Sequence, residues 1–475
     1  MLTCESAVLH YNDDSQYFPP SNEQLITMHF QILARLLRIF SVATPPPSNT
    51  KQYLLLQGAS IQNQQGTDTE LSFLQESNFY YVSGVVEPDC VVIIDVAHHE
   101  THLFVPRLDS IYAVWNGYVL SLEDYQKKYG ADFVYYTDQY ADIVKAMTAN
   151  NIESIFYTLP GVTFSSIQLP NNSPTLHYND DASVLLSALY QSRAVKVEGE
   201  IALLKIASQI SAEAHNQVMR VTEPGLYEFQ IEAEFEHYNS VCALQYQSYL
   251  PIVGSGYNAA ILHYIENTSE MKNGDLLLID AAGSYRGYTS DITRTFPVNG
   301  RFSQQQRQIY SIVLRVQQNA ISEMVVGAQF SQISKNASLL MLELLTDANF
   351  VCCASPLELY ELRIDKLFQN HGLGHFVGLS VHDTTVYPTG PLEPNMFLTI
   401  EPGIYFNEAL FGPALCSPTQ SKYLNTTLIQ SFLDQKFGGV RIEDVIMVTE
   451  SGPKVISAAS PTSINEIEHI MKSLH

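Results

Sequence analysis

Two aspartates within one glycine-bearing segment are the first residues that could do chemistry. Asp280 follows the apolar run 276–279, which predicts a buried strand, and Asp291 lies in the β-forming stretch 289–296. Together the two runs predict a hairpin. If its turn is centred on residues 285–286, the two side chains face each other at roughly 5 Å, where like charges repel. Either one carboxyl is protonated and hydrogen-bonded, or a cation lies between them.

Four histidines lie in apolar segments elsewhere in the chain. His263 follows an apolar run, and taken alone it is typical of a satisfied core histidine. His371, His375 and His382 lie with three glycines in residues 371–383, a composition that favours backbone close to a ligand. Because glycine disfavours a helix, this segment is not the HExxH helix of zinc proteases.

Two more acids complete a set of polar residues in apolar strands. Glu401 ends one apolar strand, while Arg441 and Glu443 fall on one face of a strand predicted at 438–448. Each carboxylate taken singly is typical of a surface residue or a local salt bridge. Four buried acids with only Arg294 and Arg441 close by in sequence would require cations. Oxygen ligands with one imidazole suit Mn, Fe, Co or Zn in a two-metal site, where a shared hydroxide attacks a carbonyl.

Length and composition exclude several function classes. The chain of 475 residues exceeds what one hydrophobic core usually serves, so two domains are expected. With 25 Lys and Arg against 49 Asp and Glu, the net charge of −24 disfavours nucleic acid and membrane surfaces as partners. No apolar run approaches the roughly 20 residues of a membrane helix, and residues 1–20 show no signal-peptide pattern. The six cysteines form no CxxC pair, so reduced thiols and a cytoplasmic location are expected.

Periodicity predicts the elements that must position these residues. The N-terminal region predicts an amphipathic helix at 25–40, strands at 53–56, 79–82, 91–94, 101–105 and 155–157, and helices at 122–129 and 143–149. The C-terminal region predicts helices at 198–222, 228–239, 304–324 and 331–348, with apolar strands between and after them. A loop and short helix place the domain boundary near 185–195. The fold class is therefore expected to be α+β, with helices backing a sheet whose other face holds the polar residues.

The chemistry-bearing residues resemble a known family in type, order and local motif. Asp280, Asp291, His375, Glu401 and Glu443 occur with SDIT, HGLGHF, EPGIYF and GGVRIED motifs. This pattern resembles the pita-bread metallopeptidases, and most closely the prolidases, which are Xaa-Pro dipeptidases. Residues 75–81, 103–107 and 193–215 also resemble a prolidase N-terminal domain and linker. The resemblance implies a creatinase/prolidase-like α/β domain over residues 1–190 and a C-terminal pita-bread (creatinase/aminopeptidase) catalytic domain over residues 191–475.

The same resemblance implies a dinuclear metal centre. Asp280 would chelate one ion, His375 and Glu401 the other, and Asp291 and Glu443 would bridge both. Manganese is the expected metal, with Co, Fe and Zn as alternatives. A metal-bridging hydroxide would then hydrolyse the imide bond of Xaa-Pro dipeptides.

Further residues acquire catalytic roles by resemblance. His263 and His382 would line the substrate pocket and stabilise the tetrahedral intermediate, and His371 would bound the same pocket. Arg441 would hold Glu443 and neighbouring groups in place. Glu401 would relay a proton to the leaving imine.

One departure from the prolidase pattern concerns substrate selection. Typical prolidases carry an arginine between the positions of His382 and Glu401 that binds the dipeptide's terminal carboxylate, whereas residues 383–400 contain no Lys or Arg. A strict dipeptidase needs a cation there, ideally a bidentate arginine. Arg286 or a residue of a partner subunit could substitute. Aminopeptidase P, which releases the first residue of longer Xaa-Pro peptides, needs no such clamp and is the alternative.

Two other expectations concern partners and rival functions. The resemblance implies a homodimer, in which Trp115 corresponds to a prolidase residue that reaches toward the partner subunit's site. A non-catalytic binding protein with the same fold is the rival from another class, and creatinase-like chemistry without metal is a second rival. The presence of all five ligand residues disfavours both.

Overall fold

The computed structural model describes residues 20–149, 152–159, 175–179, 181–384 and 390–472. These residues form two compact units. The first holds the described residues up to Arg193 together with Val197–Gly199, and the second holds Ala194–Lys196 and the described residues from Glu200 onward. Both units contain helices and strands, as the sequence predicts.

A mixed sheet of six strands organises the described residues of the first unit. Its strands are β1 Thr50–Gln57, β2 Val91–Asp95, β3 Glu100–Val105, β4 Phe133–Tyr136, β5 Glu153–Tyr157 and β6 Leu176–Asn179. They lie in the order β4-β3-β2-β1-β5-β6, with antiparallel pairs between β1, β2 and β3 and parallel pairs elsewhere. Tyr53, Phe104 and Phe156 from these strands pack with Tyr140 and Val144 into one core on the sheet.

Six helices accompany this sheet within the part of the first unit that the structure describes. They are α1 Asn22–Ala43, α2 Ser77–Ser83, α3 Tyr112–Asn116, α4 Leu122–Tyr129, α5 Tyr140–Met147 and α6 Ser183–Ala194. Residues 79–82 were expected to form a strand, but they belong to α2. The Glu76 side chain accepts a hydrogen bond from the Phe79 amide at 2.6 Å, and Gly84 ends the helix at a φ of 69°. These caps favour the helix over the strand that the aromatic residues alone would predict.

Helix α1 corrects a second expectation. It is long and apolar enough to cross a membrane by length and composition alone, the one such helix among the described residues. Its capping box joins Ser21 to Gln24, and its apolar face is buried within the first unit, through Met28, Ile32, Leu33, Leu36, Leu37 and Phe40. Burial of this face accounts for the apolar residues that it contains.

The second unit surrounds short strands with longer helices. Its helices are α7 Glu198–Val221, α8 Glu228–Val241, α9 Gln304–Ser322, α10 Phe330–Asp347, α11 Pro356–Glu361, α12 Asp365–Phe368, α13 Glu408–Cys416, α14 Thr426–Asp434 and α15 Ile464–Lys472. Its strands are β7 Tyr246–Gln247, β8 Ile252–Ser255, β9 Leu276–Asp280, β10 Gly283–Tyr285, β11 Tyr288–Thr289, β12 Thr293–Pro297, β13 Phe397–Ile400, β14 Gly403–Tyr405, β15 Gly439–Arg441, β16 Asp444–Thr449 and β17 Gly452–Val455.

These strands form four small antiparallel sheets. Their orders are β11-β10-β7, β12-β9-β8, β13-β16-β17 and β14-β15. Isolated bridges from Thr293 to Glu443 and from Phe376 to Leu398 connect segments that are far apart along the chain. The β-structure thereby brings the polar residues of four separate segments to one region.

The hairpin that carries Asp280 and Asp291 forms with a different register from the expected one. Its turn is Arg286–Gly287, and both residues have positive φ, 51° and 82°. Two such residues define the type I′ turn that suits the twist of antiparallel strands. Asp280 consequently pairs with Thr293 and not with Asp291. Asp291 is the diagonal neighbour of Asp280 on the same face, a position from which side chains still interact.

The cysteines follow the sequence expectation only in part. Cys90, Cys352, Cys353 and Cys416 are free thiols. Cys242 is disulfide-bonded, contrary to the expectation of reduced thiols.

Candidate metal centre

A tyrosine hydroxyl lies between the two hairpin aspartates. The Tyr249 Oη is 2.5 Å from Asp280 Oδ1 and 2.6 Å from Asp291 Oδ1. Since a hydroxyl carries a single proton, it donates to one carboxylate at a time. Burial raises the pKa of Asp280, the charge of Arg441 opposes this rise, and the charge of Asp291 adds to it. The pair is therefore a site of concentrated negative charge.

Arg441 is the cation that faces this charge directly. Its Nη2 donates to Asp280 Oδ2 at 2.7 Å, its Nη1 to the Tyr405 hydroxyl at 2.9 Å, and its Nε to Thr293 Oγ1 at 3.2 Å. The side chains of Arg441 and Asp280 are 4% and 13% exposed. Thr293 Oγ1 in turn donates to Glu443 Oε2 at 2.8 Å, so Arg441 reaches Glu443 through Thr293.

Glu443 has a buried oxygen that nothing in the described residues satisfies. Its Oε1 is fully buried and has no hydrogen-bond partner there. One ligand atom each from Glu443, Asp291 and His375 lies within 4.8 Å of the others. Burial raises the pKa of Glu443 well above its ordinary value, and the charges of Asp291 and Glu401 raise it further. An orphaned buried acceptor beside two other ligand groups fits a divalent cation.

His375 stands between two of the acids. Its Nε2 lies 3.3 Å from Asp291 Oδ2 and 3.6 Å from Glu401 Oε1, while its Nδ1 lies 3.1 Å from the Phe376 carbonyl oxygen. A carbonyl acceptor at Nδ1 fixes the ring tautomer and leaves Nε2 free to bind a metal. The residue before His375 is packed closely against a neighbouring strand. A Cβ at Gly374 would lie 1.9 Å from the Thr399 carbonyl oxygen, so this position has no room for a side chain.

Charge interactions perturb both His375 and Glu401. Burial lowers the pKa of His375, but the hydrogen bond and charge of Asp291, together with the charge of Glu401, raise it to about 9. Burial raises the pKa of Glu401 to about 7, against the charges of His375 and Arg441. In the absence of a cation, His375 and Glu401 therefore keep their protons to a higher pH than the same side chains do in water.

The other histidines border the same cluster. His371 Nε2 lies 2.8 Å from the Tyr405 hydroxyl, and its Nδ1 lies 3.6 Å from Glu401 Oε2. Burial and the charge of Arg441 lower the pKa of His371 to about 3. The His382 ring meets the His375 ring edge-on with centroids 4.3 Å apart. His263 is exposed and close enough for its charge to lower the pKa of both His371 and His382.

Two further candidates are Arg286 and Trp115. Arg286 is the candidate substitute for the arginine that binds a dipeptide's terminal carboxylate. It occupies the hairpin turn, where burial raises the pKa of Tyr285 and the charge and hydrogen bond of Arg286 oppose this rise. Trp115 belongs to the first unit, where it is 82% exposed. Sequence reasoning missed Tyr249, which no motif marks, and Tyr405, although the EPGIYF motif contains it.

Comparison with known proteins places the chain in a family. Residues 202–450 match metallopeptidase family M24, and residues 31–156 match the aminopeptidase P N-terminal domain. The chain belongs to metallopeptidase family M24. It is therefore a metal-dependent peptidase, and its candidate centre lies within the matched catalytic region.

Curated relatives of this M24 peptidase match along nearly its whole length. It is 36% identical to Xaa-Pro dipeptidase of Mus musculus over 442 residues, 88% of each chain. It is 34% identical to Xaa-Pro dipeptidase of Homo sapiens over 450 residues, 90% of each chain. It is also 34% identical to the probable Xaa-Pro aminopeptidase pepP of Aspergillus niger over 422 residues, 84% of this chain and 89% of that one.

Solved structures confirm the fold. Aminopeptidase P from E. coli in its low-pH form superposes with a TM-score of 0.79 at 29% identity, covering 93% of this chain and 98% of that one. The Zn-substituted E. coli enzyme in complex with product gives 0.79 at 30% identity, covering 94% and 99%. The expected α+β fold, with an aminopeptidase P-type N-terminal domain and a pita-bread catalytic domain, is confirmed.

Proposed function

We propose that this M24 peptidase hydrolyses the imide bond of Xaa-Pro dipeptides with two divalent ions. The observation that carries the proposal is the buried, unpaired oxygen of Glu443 among facing acids, in a chain 34–36% identical to Xaa-Pro dipeptidases. The ligands would be Asp280, Asp291, His375, Glu401 and Glu443. Manganese is the proposed metal, because oxygen-rich sites with one imidazole suit it.

The surrounding residues would orient the substrate and transfer a proton from water to the leaving group. Two divalent ions held by the proposed ligands would supply Lewis-acid chemistry, which makes water more acidic and polarises a carbonyl. His263 and His382 would donate hydrogen bonds to the carbonyl oxygen as negative charge develops there. Glu401 would accept a proton at its carboxylate and return it to the leaving imine nitrogen. Arg441 holds Asp280 and, through Thr293, orients Glu443.

Peptidase assays of the purified chain test this proposal. After loading with Mn, the protein should release proline from Gly-Pro, and a chelator should abolish the release. Asp280→Asn should lose one ion and most activity while remaining folded, because the strands keep their apolar faces. Asp434→Asn, at an exposed helix end, is the matched control and should behave as wild type. Absence of turnover on every Xaa-Pro peptide with Mn, Co, Fe or Zn would refute the proposal.

Aminopeptidase P activity is the second candidate, and one observation favours it. Residues 383–400 contain no Lys or Arg to bind a dipeptide's terminal carboxylate. Comparing Gly-Pro with a tripeptide such as Xaa-Pro-Pro separates the two activities. Cleavage of the tripeptide alone would overturn the dipeptidase proposal.

Metal analysis tests the two rivals, a non-catalytic binding protein and creatinase-like chemistry without metal. A peptidase should retain two ions per chain after loading. Fewer than one ion per chain would favour these rivals. Elemental analysis of protein purified without added metal would identify the native ion and test the assignment of manganese.

A homodimer in the cytoplasm completes the proposal. Within residues 111–118, Ile111, Val114, Trp115 and Tyr118 are 60%, 71%, 82% and 77% exposed, which supports an association surface in the first unit. Sedimentation should show a dimer that Trp115→Ala weakens, and a monomeric wild type at micromolar concentration would contradict it. Cell fractionation tests the location, and enrichment outside the cytosol would refute it.

A further inference from the structure

A buried glutamate outside the metal centre accepts hydrogen bonds from both ends of the loop 256–268, which carries His263. Glu228 is the first residue of α8 and is 0% exposed. Its Oε1 accepts hydrogen bonds from the Ser255 amide at 2.7 Å, the Ser255 hydroxyl at 2.8 Å and Asn258 Nδ2 at 3.0 Å. Its Oε2 accepts from the Tyr264 hydroxyl at 2.8 Å and the Ser269 amide at 2.9 Å.

These donors lie at both ends of the loop and within it. Ser255 precedes the loop and Ser269 follows it, while Asn258 and Tyr264 belong to it. All five donors are neutral, and together they stabilise the carboxylate by hydrogen bonds. His263 is the neighbour of Tyr264, and it is exposed whereas Tyr264 is buried.

The loop also sits firmly against the strands of the centre. Asn407 Nδ2 donates to the Ala260 carbonyl oxygen at 2.9 Å, and a Cβ at Gly438 would lie 1.9 Å from the Gly256 carbonyl oxygen. There is no room for the loop to move closer to β15. Its position relative to the centre is therefore set by these contacts and by Glu228.

We propose that Glu228 is a positioning residue for His263, because it ties both ends of the loop 256–268 to the start of α8. This inference rests on the proposed function of His263 in binding the scissile carbonyl. A small displacement of a group that contacts the reacting atoms can lower a rate by orders of magnitude. Glu228 itself would touch neither substrate nor metal.

Glu228→Gln tests the inference, because an amide nitrogen would face donors wherever it pointed. We expect kcat on a Xaa-Pro peptide to fall by about tenfold or more with bound metal unchanged. The double variant with His263→Ala should be no slower than His263→Ala alone. Glu234→Gln on the same helix, whose carboxylate accepts from Gln217, is the matched control and should retain wild-type kcat. Independent, multiplicative losses in the double variant would overturn the inference.

Hydrogen exchange separates this inference from the proposed function. Amides of residues 256–268 should exchange faster in Glu228→Gln than in wild type, and at the wild-type rate in Glu234→Gln. If wild type cleaves no Xaa-Pro peptide, the proposed function fails, whereas unchanged exchange in Glu228→Gln overturns the role of Glu228. Tyr264→Phe removes one donor and keeps the carboxylate, so it should show the same pattern more weakly if Glu228→Gln does not fold.

A separate observation concerns two adjacent thiols on the surface of the second unit. Cys352 and Cys353 are both free, and Cys353 Sγ lies 2.9 Å from Cys352 Sγ. Cys353 is exposed and Cys352 is half-buried. The Cys352 amide donates to the Tyr423 carbonyl oxygen at 2.9 Å, and Cys353 has a φ of 68°. The backbone thus presents two sulfurs side by side.

We infer that Cys352 and Cys353 form a dithiol site for thiophilic trivalent arsenic. Two fixed neighbouring sulfurs bind one atom without the entropy cost of bringing the donors together. With phenylarsine oxide, each thiol loses its proton, two As–S bonds form and the oxide oxygen leaves as water, so the oxidation state of arsenic does not change. Soft sulfur ligands select such thiophilic atoms.

Intact-protein mass spectrometry in excess monothiol tests this site. Wild type should retain one phenylarsenic group per chain and lose two titratable thiols, and a dithiol should release the arsenical. Cys416→Ser removes an isolated exposed thiol and should retain the group. Cys352→Ser and Cys353→Ser should not retain it. Retention by either of these variants, or no retention by wild type, would overturn the inference.

Discussion

Replacing Glu443 by glutamine should change stability in opposite directions with and without metal. The Glu443 carboxylate is 1% exposed, one oxygen accepts from Thr293, and the other has no partner among the described residues. In the metal-free protein this carboxyl destabilises the folded state, because burial and the charges of Asp291, Glu401 and Asp280 disfavour its ionised form. Glutamine keeps the acceptor for Thr293, removes the charge and adds a donor that faces acids.

The magnitude follows from the unsatisfied oxygen and from ligand linkage. Leaving a buried acceptor unpaired costs about 1–3 kcal/mol, so metal-free Glu443→Gln should be more stable than wild type by about that amount. Metal at a thousandfold excess over its dissociation constant stabilises the folded state by about 4 kcal/mol. Each tenfold loss of affinity removes about 1.4 kcal/mol of this stabilisation. If the variant loses a thousandfold or more in affinity, the whole of this roughly 4 kcal/mol is lost, which exceeds the gain of about 1–3 kcal/mol. Metal-loaded Glu443→Gln should therefore be less stable than wild type by about 1–3 kcal/mol.

Urea unfolding of the full chain, followed by circular dichroism in chelator and in Mn, measures the free energy of unfolding without and with metal. Asp444→Asn is the control, because Asp444 accepts hydrogen bonds from Arg294 at 2.7 Å, Ser457 at 2.6 Å and Gln317 at 2.8 Å, and none of these donors belongs to the proposed ligand set. It should destabilise the protein in both conditions. A Glu443→Gln effect of the same sign in chelator and in Mn would refute the view that Glu443 binds metal.

Three further predictions concern the same centre. In the metal-free protein, Glu401 has its pKa raised from 4.5 to about 7 and His375 from 6.5 to about 9. The folded state then holds protons that the unfolded state releases, so the free energy of unfolding should fall as pH rises from 4.5 to 9; a flat profile in urea titrations would contradict this. Tyr249→Phe removes the hydroxyl between Asp280 and Asp291, two of the proposed ligands, and should weaken metal binding by about 10–100-fold in a chelator competition, whereas unchanged affinity would assign the hydroxyl to the fold alone. Gly374→Ala would force a Cβ against a facing carbonyl oxygen and should destabilise the protein by about 1–3 kcal/mol in thermal unfolding, while Gly412→Ala, with open space around it, should not.

Much of the fold could be predicted from the sequence because local patterns carry it. Helical periodicity located α7, α8, α9 and α10 within a few residues of their ends, and apolar runs located β1, β2 and β3. Residues 79–82 show the limit of this reasoning. Their aromatic content is typical of a strand, but the cap provided by Glu76 makes them helical.

The sequence by itself determined which residue types could do chemistry and in what order they occur. Acids and histidines embedded in apolar strands mark themselves, because such groups are rarely buried without partners. Only the tertiary structure decided which groups meet. The turn at Arg286–Gly287 moved Asp280 opposite Thr293, and Tyr249 entered between the aspartates from 31 and 42 residues away. Such contacts depend on strand register and on packing between distant segments, which no local pattern encodes.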